Sequence, residues 1–424
     1  MKYLILFLFC LITRVVANGQ HNQPIVQPVS QAASRFDAEK ATATLINTIP
    51  LAVRNKANSY WEGGYWLLLW NFLYAAFIAW LFLFGGLSAY IKKLADKTTK
   101  RNRSNLIYIS LYFLLSFLIS LPIDIYQNFI REHQYGFSNQ NFIQWFTDDL
   151  LTLLLELIIA APFFVLIYAM FRKVKENWWL WGGGIAVIFI IGIIIVYPVF
   201  ITPVFNKYTP LKNGALKEQI LSMARANQVN INQVYVYNES KQTKAFNANV
   251  TGFAGTGQIA LNDNMLNQCT NDEIKAALGH EMGHYVLNHL FILVLEFGVL
   301  IIIGFKLVKW ASDKLFVKYG EKWKVISIQD ITSLPVLVFL FTFYFFIITP
   351  VSNTIIRTVE IEADNYGLNA ARKPDAFASV CLKTADNHKI EPGYWEEVFF
   401  YDHPSRQNRI LAAMKWKAEN MGVK

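Results

Sequence analysis

Six stretches of the chain, at about residues 66–91, 105–127, 149–172, 178–204, 291–312 and 333–352, are apolar over roughly the 20 residues that a helix needs to cross a bilayer. Lipid offers the backbone no hydrogen-bond partners, so a spanning segment must satisfy its own amides. Only helices and closed barrels do so, and unbroken apolar runs of this length, without period-two alternation, select helices. The expected fold is therefore mainly α: a multi-pass bundle with four spans over 66–204 and two more over 291–352. Composition supports it, with 54% hydrophobic and 16% charged residues in 424. The formal net charge of +9 raises nucleic acid as a partner, but the basic residues sit in short clusters beside apolar runs, as membrane proteins place them. The expected partner is the lipid bilayer and not nucleic acid.

Three such clusters orient the bundle. Lys92 to Ser104 carries six basic residues and one acid, Arg172 to Asn177 reads Arg-Lys-Val-Lys-Glu-Asn, and 306–324 holds six lysines. All three belong on the cytoplasmic side. Residues 1–17 read as a signal peptide or N-terminal anchor, and 18–65 as a polar exported segment with no span. Counting helices from that segment puts 205–290 and 353–424 on the far side. The signal-like start favours a bacterial inner membrane over a eukaryotic internal one. The three cysteines, Cys10, Cys269 and Cys381, have no CxxC spacing and indicate neither a disulfide framework nor a thiolate metal site.

The more polar region 205–290 alternates at Val234-Tyr235-Val236-Tyr237 and Ile259-Ala260-Leu261 like short strands and turns helical from about Asn271. On that helix lies His280-Glu281-Met282-Gly283-His284. Histidines four positions apart share one helix face and can converge on one cation, with Glu281 beside the open coordination position. A catalytic zinc needs a third protein ligand. His289 follows His284 by five positions, where the metzincin pattern needs six. The better candidate is Glu360 in Arg357-Thr358-Val359-Glu360-Ile361-Glu362-Ala363-Asp364, a helical segment in which Arg357, Glu360 and Asp364 share a face. Asp364 then suits the orientation of a ligand histidine. In the mechanism these positions imply, Glu281 accepts the proton of the attacking water and returns it to the leaving amine. Donors for the oxyanion are also needed, and Asn247 and His403 are polar candidates of suitable type.

Several runs together resemble the type I CAAX prenyl proteases: Pro198 to Leu211, Asn247-Ala248 followed by Gly252, Leu278 to His284, Arg357 to Asp364, and His403-Pro404 to Arg409, with Gly85-Gly86 and Tyr135-Gly136-Phe137 upstream. The resemblance covers about residues 66–420, departing at Asn249-Val250 and at Ser405. It implies a chamber enclosed by membrane helices, a small α+β zincin-like catalytic part, one Zn2+ per chain, and a peptide or protein substrate, prenylated in the family. It also implies His280, His284 and Glu360 as zinc ligands, Glu281 as the catalytic glutamate and Asp364 as the acid behind the ligands. Asn247 matches the strand residue on the substrate side, and His403 and Arg409 the pair near the oxyanion. Two other readings remain at this stage: a membrane quality-control protease of the bacterial heat-shock type, and a catalytically silent membrane scaffold.

Overall fold

A computed structural model describes residues 36–98, 100–251, 257–325, 327–386 and 388–422. The expected signal segment 1–17 and the beginning of the polar segment lie outside the described residues, as does Gly252. Among the described residues, five continuous helical stretches are long and apolar enough to cross a membrane: Leu51–Leu83, Arg101–Gln134, Phe142–Phe205, His289–Trp323 and Ile331–Ala371. The third of these folds back on itself. Helix α5 (Phe142–Val174) ends where Lys175 adopts a positive φ of 52°, and α6 (Trp178–Val196) returns alongside it. Phe163 and Phe189, on opposite sides of that turn, stack at 3.8 Å between ring centroids. Among the described residues the five stretches thus make six helical legs.

Two expectations near the start give way. The run at 66–91 is not one helix: α2 spans Leu51–Leu83, and Gly86, at φ 77°, breaks it from α3, Leu87–Ala95. Nor does the first long helix begin only after the polar segment 18–65, which is helical over 38–47 and from 51 on. Helix α1 (Ala38–Asn47), capped by Asp37, lays the buried Ile46 among Phe377, Ile410 and Met414 of the C-terminal helices. Residues 51–65 form the first turns of α2. Their polarity masked the helix, because they run beyond the apolar layer and meet protein: Tyr65 donates to Glu396 at 2.6 Å and Tyr60 to Glu132 at 2.8 Å.

The three basic clusters meet at one end of the bundle. Lys309 lies 3.4 Å from Glu176, Trp323 packs edge-on against Phe84, and Ser88 faces the Thr332 carbonyl at 3.4 Å. Apolar side chains such as Ile188, Ile195 and Leu295 point outward, as lipid-facing residues do. Between the legs lies a cavity of about 640 Å³, lined by Phe72, Phe163, Phe305 and Phe341 among others.

At the other end sits a small α+β part. Its sheet has the order β1-β2-β4-β3, with β1 Tyr208–Pro210, β2 Ile231–Tyr237, β3 Ala248–Thr251 and β4 Gly257–Asn262. Strands β2 and β4 pair in parallel, Val234 opposite Ile259, while β3 and β4 are antiparallel, Ala248 opposite Leu261. The apolar residues of β2 and β4 face α7 (Ala215–Ala226) and α8 (Asn271–Val286) in a shared core of Ile220, Val234, Ile259, Leu261, Leu278 and Met282.

Candidate metal centre and peptidase site

Helix α8 begins at a capping box: Glu273 donates its amide to Thr270 Oγ1 at 3.3 Å, and Thr270 donates its own to Glu273 at 2.7 Å. The same Glu273 carboxylate accepts from Lys383 at 2.7 Å and Ser379 at 2.6 Å on α11 (Pro374–Lys383). The helix that carries His280 and His284 is thereby fixed at its start. Its other partner is α10 (Leu334–Ala371), which brings Glu360 and Asp364. The two helices touch backbone to backbone. A Cβ on Gly279 would lie 2.9 Å from the Gly367 carbonyl oxygen, one on Gly283 would lie 3.0 Å from that of Ala363, and one on Gly367 would lie 2.7 Å from the His280 nitrogen. The small-xxx-small pattern appears on both helices, Gly279 and Gly283 against Ala363 and Gly367, and it permits this approach.

The crossing brings three donors together. His280 Nε2 lies 3.2 Å from Glu360 Oε2, His284 Nε2 lies 3.4 Å from Glu360 Oε1, and the two imidazole nitrogens are 3.1 Å apart. One ligand atom from each of the three residues falls within 4.8 Å of the others. Hydrogen bonds outside the cluster set the tautomers. His280 donates Nδ1–H to Asp364 Oδ1 at 2.7 Å. Arg409, on α13 (Arg406–Asn420), holds that carboxylate from behind, donating from Nε at 2.8 Å and from Nη2 at 2.5 Å. Behind His284, the Nδ1 atoms of His284 and His289 face each other at 2.9 Å, and His289 Nε2 meets Glu362 at 3.3 Å. If His289 gives its proton to Glu362, its Nδ1 accepts from His284, and the Nε2 lone pairs of both His280 and His284 point into the cluster.

Those lone pairs, with the buried Glu360 Oε2 that accepts no hydrogen bond, form a set that a cation would satisfy. The electrostatics agree. Burial pulls the His280 imidazole down, but the Asp364 and Glu360 carboxylates outweigh it and push it up to about 9. The pocket favours positive charge at this point.

Around the cluster a cavity of about 230 Å³ is lined by Phe246, Asn247, Glu281, His403, Arg406 and Arg409 among others. Desolvation raises the Glu281 carboxyl above its ordinary value. His403 lies 3.4 Å from Glu360 and is held by Asp402 at 2.8 Å. Its loop is fixed by Arg357, which donates to the Glu397 and Tyr401 carbonyls at 2.9 and 2.5 Å. Asn247 lies just ahead of β3, its carbonyl accepting from Asn262 N at 2.9 Å, with its side chain exposed. All eight residues singled out from the sequence thus gather at one place. The Arg409 fork, however, is directed at Asp364.

Sequence spacing gave no reason to choose His289, Glu362, His388 or Arg406. His289 reaches His284 only because Asn288, at φ 56°, breaks the helix between them. An αL asparagine was the one available signal.

Comparison with known proteins decides the family. Residues 35–207 match the model described as CAAX prenyl protease N-terminal, five membrane helices, and residues 210–417 match that of Peptidase family M48. Together the two models cover most of the chain, which belongs to peptidase family M48. As an M48 peptidase it is an integral-membrane metalloprotease acting on peptide or protein, and its family implies a bound metal. Its relatives include an uncharacterised metalloprotease, YhfN, of Bacillus subtilis, 29% identical over 346 residues and 80% of each chain. CAAX prenyl protease 1 of Saccharomyces cerevisiae is 28% identical over 73% of this chain and 71% of its own. Among solved structures, S. mikatae Ste24p superposes with a TM-score of 0.73 at 23% identity, covering 89% of this chain and 93% of that one. It shares the fold of this M48 peptidase.

Proposed function

We propose that this M48 peptidase is a zinc-dependent endopeptidase that cuts extended peptide tails at the cavity between α8, α11 and α13, and that prenylated CAAX-type tails are among its substrates. The observation that carries the reading is the convergence of His280, His284 and Glu360, with His280 and Glu281 in the wall of one cavity. These three residues would hold the zinc. When bound, zinc supplies Lewis acidity for the scissile carbonyl and acidifies the water that attacks it.

The remaining work falls to side chains of the chain itself. Glu281, its carboxyl raised by burial, takes the proton of the attacking water and delivers it to the leaving amine. Asp364 keeps Nδ1–H of His280 turned away from the centre, and Arg409 acts through Asp364. His403, 3.4 Å from Glu360, would donate to the oxyanion. β3 is an edge strand of the sheet, so a substrate could lie along it as an added strand, with Asn247 at its entrance. We place the protein in a bacterial inner membrane, in keeping with the bacterial relative of similar length.

The test is cleavage of a generic peptide and of a farnesylated CAAX peptide by detergent-solubilised protein, with and without chelator. Cleavage lost on chelation and restored by zinc is expected. Cleavage of the farnesylated peptide alone would narrow the substrate to the prenylated class. Stoichiometric zinc with neither peptide cut would instead favour a silent scaffold.

The His289 contact carries its own expectation. His289→Ala removes the partner that orients His284 and should weaken zinc binding by roughly 10–100-fold, read by competition with a chromogenic chelator. Unchanged affinity in a folded variant would show that His284 needs no such support.

A further inference from the structure

Arg406 stands at the start of α13, one helical turn before Arg409, and lines the same cavity as Glu281 and His403. The two arginines are treated differently. Arg409 has the Asp364 carboxylate, whereas among the described residues no carboxylate lies within ion-pair distance of Arg406. Its Nε is buried and makes no hydrogen bond. Its Nη2 donates to the His388 ring, 3.1 Å from Nε2. That histidine meets the Thr384 carbonyl through Nδ1 at 3.2 Å and stacks on Trp61 of α2. Burial and the Arg406 charge hold His388 well below its ordinary value, so it is a neutral acceptor. It satisfies a hydrogen bond but does not compensate a charge.

Burial and the charge of Arg409 lower the Arg406 guanidinium to about 10, and it remains protonated at neutral pH. A half-enclosed cation with no counter-ion is costly unless an anion arrives to pair with it. A planar guanidinium suits a carboxylate, which it can grip with two parallel hydrogen bonds.

We propose that Arg406, backed by His388, is the anchor for the free C-terminal carboxylate of the peptide substrate. This rests on the peptidase reading above and deepens it. Arg406, His280 and Glu281 border one cavity of about 230 Å³, which leaves room for only a few extended residues, at 3.3–3.6 Å each, between the cut and the chain end. The enzyme would then measure its cut from the terminus.

The test compares two otherwise identical peptides, one ending in a free carboxylate and one in an amide, cut by the zinc-loaded wild-type protein. The free acid is expected to have the higher kcat/KM by at least about tenfold, carried mainly by KM, because an anchor that grips ground state and transition state alike lowers KM. In Arg406→Gln, with zinc content checked, the ratio should fall toward one. Equal cleavage of both peptides by the wild type would overturn the anchor while leaving the peptidase intact. A preserved ratio in the variant would also overturn it. Cleavage of neither peptide would overturn the peptidase reading and the anchor with it. The wild-type comparison stands even if the variant fails to fold.

Discussion

Glu281→Gln should lower kcat/KM on any peptide the enzyme cuts by about 10²–10⁴-fold, the range spanned by loss of a general acid–base group. The amide keeps the size of the carboxylate but cannot take a proton from water. Glu281 is not one of the three clustered donors, so zinc content should stay at one per chain and the melting temperature should change little. Metal analysis, thermal melts in detergent and peptide kinetics on the same preparation check the three parts. Wild-type rates in the variant would remove Glu281 from the chemistry and move the search for the base to His403.

The second large effect lies behind the three clustered donors. Asp364 is almost fully buried and joins His280 to Arg409. Asp364→Ala leaves the Arg409 guanidinium charged, enclosed and without its partner, a change that costs about 3–5 kcal/mol for a broken buried pair. It also frees His280 to turn its Nδ1–H elsewhere. A clear fall in melting temperature and a loss of zinc affinity are expected together. The double variant Asp364→Leu with Arg409→Met removes both charges and should recover much of the thermal stability but not the zinc affinity. If the single variant melts like the wild type, the ion pair contributes nothing measurable and the argument from burial fails.

How much of this could be read beforehand follows from the range of each interaction. The spans were legible because a bilayer imposes one local requirement, an apolar run of fixed length. His280 and His284 were legible because a helix turns a spacing of four into a shared face, and the same rule put Glu360 and Asp364 together. The helix from Leu51 was missed because the polar residues before Trp66 find protein partners, Glu132 and Glu396, that lie far away in sequence. His289 required the left-handed turn at Asn288 to be known. The direction of the Arg409 fork and the lack, among the described residues, of a counter-ion at Arg406 depend on how α13 meets α10. No spacing rule reports such a meeting.

The glycine contact between α8 and α10 has a consequence for what kind of object this enzyme is. One side of the crossing belongs to the small α+β part, while the other is the last third of a helix whose earlier turns, at Leu337 and Leu340, pack within the membrane bundle. The catalytic part is therefore not a soluble unit tethered to lipid by an anchor that could be trimmed away. The span is itself one jaw of the vice, and any fragment that keeps all three donors also keeps a bilayer crossing.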